Sequence, residues 1–358
     1  MVKKRYNVLT FGAAYGSLFG IKLILAGHDV TMVCLPEEAN LINSEGVRVK
    51  IPVFDGDELQ EIHSSSAPGT IKAAGPSEVD PRNYDLITLA MQEPQYPSPK
   101  VSELLGAVAA SGVPVMSIMN MPPPAYLKRM PKIAAIDTTG CYTDASIWND
   151  FDPEIFTMAS PDPQAFRPPD KPANYLQVSL PTNFKVARFA SDIDTAILKQ
   201  LQNDIMEIRF DRGSGDEVEL PVKLKVHDSV FVPLAKWSML CTGNYRCVTL
   251  DGPRSIREAV HSDIDASRKV YEWVRDVCKR FGAKDEDLVP FDKYAAAAEV
   301  LAKPSSAARA LFAGAPNIER VDKLVQTLAS SKGMHLDVLD EIVGLVDAQL
   351  EKNRAAVR

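Results

Sequence analysis

Gly12 and Gly16 bracket a short turn, "FGAAYG" (residues 11–16), set between an apolar run and a helical one. Glycine there lets a backbone approach a phosphate, and the free N–H groups opening the next helix supply positive potential for it. The usual phosphate turn reads G-x-G-x-x-G. Here Ala13 and Ala14 narrow the space, which leaves Gly12 to make the tight turn and Gly16 to let helix and strand pack closely. Gly12, Ala13, Ala14, Tyr15 and Gly16 are therefore candidate dinucleotide contacts. Farther on stand Leu35, Pro36, Glu37 and Glu38. At that place an acidic group accepts from a ribose hydroxyl of NAD, whereas an arginine takes the 2′-phosphate of NADP. The glutamates would repel a 2′-phosphate, so NAD stays open beside NADP. Asn120 falls just past the end of "VPVMSIM" (113–119), and ligands of open α/β sheets bind at the carboxyl ends of strands.

These residues need elements to hold them. Asn7–Phe11 reads as a buried strand, Gly16–Ala26 as a helix stopped by Gly27, and Asp29–Cys34 as a second, β-branched strand. The alternation continues with a strand over Asp85–Ala90, a helix over Val101–Ala110 and a strand over Val113–Met119. This rhythm implies a doubly wound parallel sheet covered by helices. Seven prolines between Pro153 and Pro181 predict an irregular, helix-poor excursion near 150–185. Ile193–Ile208 reads as a helix and "DRGSGDE" (211–217) as an exposed turn. From about Asp228 the pattern is helical to the end. There Val270, Val274, Val277, Cys278 and Phe281 form one stripe and Gly282 stops the helix. The expected division is an α/β dinucleotide-binding domain over 1–225 and a helical substrate and dimerisation domain over 226–358.

The chain of 358 residues is long enough for two cores, and its 46% apolar and 24% charged residues are ordinary for a globular protein. A net charge of −7 argues against nucleic acid or an anionic membrane as partner. The opening "MVKKR" before an apolar run resembles a signal peptide, yet Lys22 interrupts the run and no window approaches ~18 apolar residues. A cytoplasmic chain is expected. Its five cysteines, Cys34, Cys141, Cys241, Cys247 and Cys278, show no C-x-x-C spacing and read as free thiols in a reducing compartment, with no metal site.

Taken in order, several segments resemble the ketopantoate reductase family, whose members reduce 2-oxo acids with NADPH. They are "GSLFG" (16–20) with "GHDVT" (27–31), "DLITLAMQ" (85–92), "VPVMSIMN" (113–120), "DTTGCYTD" (137–144), "LAKWSMLCTGN" (234–244) and "KPSSAARAL" (303–311). The resemblance implies an N-terminal Rossmann-like fold and a helical domain of the 6-phosphogluconate dehydrogenase C-terminal type. It makes "DTTGCYTD" a further strand. It implies NADP as cofactor, a small-molecule 2-oxo acid as substrate and a homodimer.

The resemblance also implies roles. Lys236 matches the lysine that protonates the substrate carbonyl oxygen, Asn120 the asparagine at the strand end, and Glu319 the nearest acidic partner. Asn244, Ser306 and Ser305 fall on the substrate side, and Leu35, Met91 and Asn120 on the cofactor side. The chemistry is sound, because hydride arriving at a 2-oxo carbon leaves charge on oxygen that an ammonium stabilises and protonates. Several positions depart from the family. Leu35 stands for its arginine after the second strand, and Ala90, Met91 and Gln92 stand where it has a lysine. "PPP" (122–124) replaces a glycine-rich turn, Leu240 a polar asparagine, and Ile318 occupies the spacing expected of Glu319. A changed pocket leaves two alternatives beside a 2-oxo acid reductase: an opine-type dehydrogenase, or a non-catalytic nucleotide- or metabolite-binding member of the fold.

Overall fold

The computed structural model describes residues 4–53, 59–211, 215 and 217–357. The chain divides into two compact units. One comprises Met1–Met91, Gln95–Met119 and Ile147–Asp228; the other comprises Gln92–Pro94, Asn120–Ser146 and Ser229–Arg358.

The first unit is built on strands β1 (Asn7–Phe11), β2 (Asp29–Val33), β3 (Arg48–Pro52), β4 (Leu59–His63), β5 (Ile71–Ala74), β6 (Leu86–Leu89), β7 (Val115–Ile118), β8 (Phe156–Ser160), β9 (Gln164–Phe166), β10 (Tyr175–Leu180), β11 (Phe184–Ala187), β12 (Arg209–Asp211), β13 (Glu217–Glu219) and β14 (Leu224–His227). Eight of them form the main sheet in the order β14-β11-β8-β7-β6-β1-β2-β5. The run from β8 to β5 is parallel, and β11 turns antiparallel to β8. The central strands β6 and β7 are buried at every residue, as a sheet covered on both faces requires. Helices α1 (Ala13–Leu25), α2 (Pro36–Glu45) and α3 (Pro99–Ser111) and the helix Asp192–Glu207 complete the unit.

The proline-rich segment is not irregular. It supplies β8 to the main sheet, and β9 and β10 to a second sheet of order β4-β3-β10-β9. Its prolines fall between these strands, where the missing N–H breaks no ladder. Of the turn "DRGSGDE", residues 212–214 and 216 lie outside the described residues, and β12 and β13 pair antiparallel on either side of it.

Lys22 is 1% exposed on α1. Its ammonium reaches the carbonyl oxygens of Pro221 at 2.9 Å and Leu220 at 3.4 Å, and burial beside Lys223 lowers its pKa to about 7. His28, for which the sequence offers no context, is buried with its Nε2 3.0 Å from Asp204.

The second unit is mainly helical. The helix Ile264–Phe281 buries Val270, Val274, Val277, Cys278 and Phe281, and Gly282 ends it with φ of +126°. "DTTGCYTD" forms no strand: the Asp137 carboxylate accepts from the Thr139 N–H at 3.0 Å and its hydroxyl at 2.7 Å, which curls the chain into a short turn over Thr139–Cys141. All five cysteines are free. Among the described residues no helix is long and apolar enough to cross a membrane.

Candidate active site

The phosphate turn belongs to the first unit. Gly12 has φ of +93°, and a Cβ added there would lie 2.6 Å from Cγ of Met91 and 3.2 Å from the Ala90 carbonyl oxygen. A Cβ on Gly16 would meet Thr10 at 2.6 Å, so Gly16 provides the close helix–strand packing the sequence suggested. The helix starts three residues earlier than expected, at Ala13, so Ala13, Ala14, Tyr15 and Gly16 form its first turn. That turn has no capping side chain and no acidic residue, and Ala14 is exposed. An uncapped N-terminus of a 13-residue helix suits the pyrophosphate of a dinucleotide. Tyr15 is already engaged, donating its hydroxyl to the Pro163 carbonyl at 2.7 Å and packing edge-on against Phe184. Leu35 opens α2 at 70% exposure. One turn on, Glu38 pairs with Arg167 at 2.6 Å. Burial and the neighbouring Glu38 push the Cys34 thiol up to about 11.

The second unit holds a small cavity lined by Gln92, Asn120, Leu240, Asn244, Tyr245, Ser306, Ala307, Ile318 and Glu319. Four residues named from the sequence, Asn120, Asn244, Ser306 and Glu319, thus meet on one wall system. Asn120 Nδ2 donates to Glu319 Oε2 at 3.0 Å, while its buried Oδ1 has no hydrogen-bond partner. Burial pushes Glu319 above the ordinary carboxyl value, against the pull of Asn120, of the Glu93 and Met121 N–H groups and of the Lys236 ammonium. Lys236 is 9% exposed, and its charge acts on Glu319. Tyr245 locks the backbone: its hydroxyl donates to the Glu319 carbonyl and accepts from the Val321 N–H at 3.0 Å. Lys236 is not among the residues that line the cavity, and neither is Ser305. Its hydroxyl donates to the Asn244 carbonyl at 2.7 Å and caps the helix Ser306–Phe312 by accepting from Ala308. Among the described residues no cluster of three His, Cys, Asp or Glu side chains is placed to hold a metal.

Two features escaped the sequence. Glu93 is 1% exposed, and its carboxylate accepts from the Thr143 N–H and hydroxyl, both at 2.9 Å. Burial, with Glu319 nearby, raises it to about 7. The second feature is in the helix of Lys236. It is α-helical over Lys236–Met239 and then widens to a π turn over Leu240–Asn244. Residues eight apart on a regular α-helix are offset by about 80°, and a wider turn removes most of that offset, bringing Asn244 toward the angular position of Lys236. Tyr294 supports the widening by donating its hydroxyl to the Met239 carbonyl at 3.0 Å. That hydroxyl lies 2.0 Å from where a Cβ of residue 243 would be, which only glycine permits.

No family model and no curated protein matches the sequence. Solved structures do match over nearly the whole chain. A D-mandelate dehydrogenase bound to NADH and anilino(oxo)acetate is 16% identical, covering 97% of this chain and 99% of its own, with a TM-score of 0.65. A ketopantoate reductase of the PanE/ApbA family from Ralstonia eutropha JMP134 is 16% identical over 97% and 99%, with a TM-score of 0.63. A 2-dehydropantoate 2-reductase from Methylococcus capsulatus is 14% identical over 97% of both, with a TM-score of 0.65. At these identities the likeness establishes the fold.

Proposed function

We propose that this chain, which folds as the ketopantoate reductases do, is a nicotinamide-dinucleotide-dependent reductase of a small 2-oxo acid. The observation that carries the reading is the convergence of Asn120, Asn244, Ser306 and Glu319 on one small cavity, with the Lys236 charge felt at Glu319. Polar groups converging in a partly apolar pocket suit a small molecule. When bound, a reduced nicotinamide would supply hydride to the 2-oxo carbon. Charge then grows on the carbonyl oxygen, where the Lys236 ammonium stabilises it and delivers a proton. Glu319 sets the charge around Lys236 and orients Asn120, whose unpartnered Oδ1 accepts from the ligand. The Ser306 hydroxyl and the Asn244 amide hold the substrate carboxylate. Leu240, Tyr245, Ala307 and Ile318 support a substrate with an apolar side chain. The uncapped first turn of α1 supports a dinucleotide pyrophosphate, and five free thiols support a reducing, cytoplasmic setting.

The test is fluorescence titration with NADPH and NADH, followed by a panel of 2-oxo acids monitored by loss of reduced-nicotinamide absorbance. K236A should lower kcat by about 10²–10⁴-fold with dinucleotide affinity unchanged. Failure of both dinucleotides to bind at millimolar concentration overturns the proposal.

A further inference from the structure

We infer that Glu93 is a positioning residue of the proposed site: by taking up or releasing one proton behind Glu319, it sets the net charge that an anionic 2-oxo acid meets in the cavity. The inference rests on the reductase reading above. The cluster lies wholly in the second unit. Gln92 lines the cavity, and the next side chain, Glu93, is 1% exposed. The Glu93 N–H donates to Glu319 Oε1 at 3.4 Å, and the Met121 N–H reaches the same oxygen at 3.5 Å. Asn120 Nδ2 takes the other oxygen at 3.0 Å. Two carboxyls thus stand close together away from water, with the Lys236 ammonium acting on one of them. Carboxyls so placed lose their protons in two steps that belong to the pair. Glu319 ionises first, since three N–H donors and the ammonium favour its anion.

Glu93 is fitted to hold the second proton and to exchange it. The Thr143 N–H and hydroxyl each reach one of its oxygens at 2.9 Å. A hydroxyl donates to a carboxylate and, turned over, accepts from a carboxylic acid, so Thr143 serves both states. Thr143 is exposed and links the buried carboxyl to the medium. The neighbouring titratable groups leave the exchange to the pair. Burial raises Tyr142, Cys141 and Tyr245, which keeps them neutral through the neutral range. The Asp144 carboxylate is occupied by the Ser146 N–H at 2.9 Å and hydroxyl at 2.6 Å, and Arg320 is spent on Asp322 at 2.9 Å. With Glu93 protonated, Glu319 and Lys236 cancel, and the substrate carboxylate enters a site without net charge. With Glu93 ionised, the site holds one more anion and repels that carboxylate. Burial raises Glu93 to about 7, which places the change in the range where an enzyme is assayed.

The experiment follows KM for the best 2-oxo acid of the panel, and Ki for oxamate, an unreactive oxo-acid isostere, across the neutral pH range with dinucleotide saturating. In wild type both constants should rise on the order of tenfold as Glu93 ionises, the scale of one added charge near the ligand. E93Q cannot ionise, so its constants should stay level across the same range. A merely structural role would lower kcat or stability and leave the pH dependence in place. T143V removes a donor to the carboxylate and should move the rise to higher pH, while T143S should keep it where wild type has it. Should E93Q not fold, these two variants decide: a rise that moves in T143V alone supports the inference, and one that does not move overturns it. A rise retained in E93Q, or wild-type constants that do not change with pH, overturns the inference and leaves the reductase reading standing. A wild type that binds neither dinucleotide overturns both.

Discussion

A carboxyl shut away from water keeps its proton to higher pH, and Glu93 is such a group, raised to about 7 by burial. The folded state therefore binds more protons than the unfolded one between the ordinary value of 4.5 and about 7. Stability is full below that window and falls as pH rises through it. The loss is on the order of 3 kcal/mol. E93Q keeps a hydrogen-bonding side chain and removes this titration, so urea unfolding of the variant should slope downward less steeply across the window than wild type, the remainder belonging to the likewise raised Glu319. An unchanged slope in E93Q would place the titration elsewhere. Glu93 was invisible in sequence because "QEPQ" has the composition of a solvated turn, and its burial depends on Thr143, fifty positions away. Lys236, Asn120, Asn244 and Ser306 were legible only through the segments around them, since a lone lysine or asparagine carries no signal of its own.

At the scale of elements, the π turn over Leu240–Asn244 depends on a glycine and a tyrosine hydroxyl competing for one space. G243A should cost about 1–3 kcal/mol, as overpacking does, and, on the proposed function, raise KM for the oxo acid by displacing Asn244. The double variant G243A/Y294F removes the clashing oxygen and should recover part of the stability. A double variant no better than the single one would show that the clash is not with Tyr294. Regular elements were read well from periodicity: α1, β1, β2, β6 and β7 all stand within a few residues of their expected bounds. The errors share a cause. Proline between 153 and 181 suggested irregularity, yet short strands β8, β9 and β10 fit between the prolines; β9 pairs with β10, while β8 and β10 find partners β7 and β3 far off in the chain. Likewise the Asp137 side chain outcompetes the strand that family likeness implied for 137–144.

For the molecule as a whole, the two units carry opposite pH responses. In the first, the Lys22 pKa is lowered from 10.5 to about 7, so the unfolded chain binds the extra proton and stability rises with pH between those values. Hydrogen exchange resolved along the chain should show the first unit firming from neutral to alkaline pH, and K22M should abolish that gain. Persistence of the gain in K22M would assign it to another group. The units also differ in how the chain makes them. Residues 92–94 and 120–146 leave the N-terminal half of the sequence to join the helical unit. A gene fusion or recombination event that inherits only the stretch after 228 would acquire Lys236, Asn244, Ser306 and Glu319 but leave Gln92, Glu93 and Asn120 behind. The cavity is therefore not a transferable module: its polar wall requires the stretch from 92 to 319 as a whole.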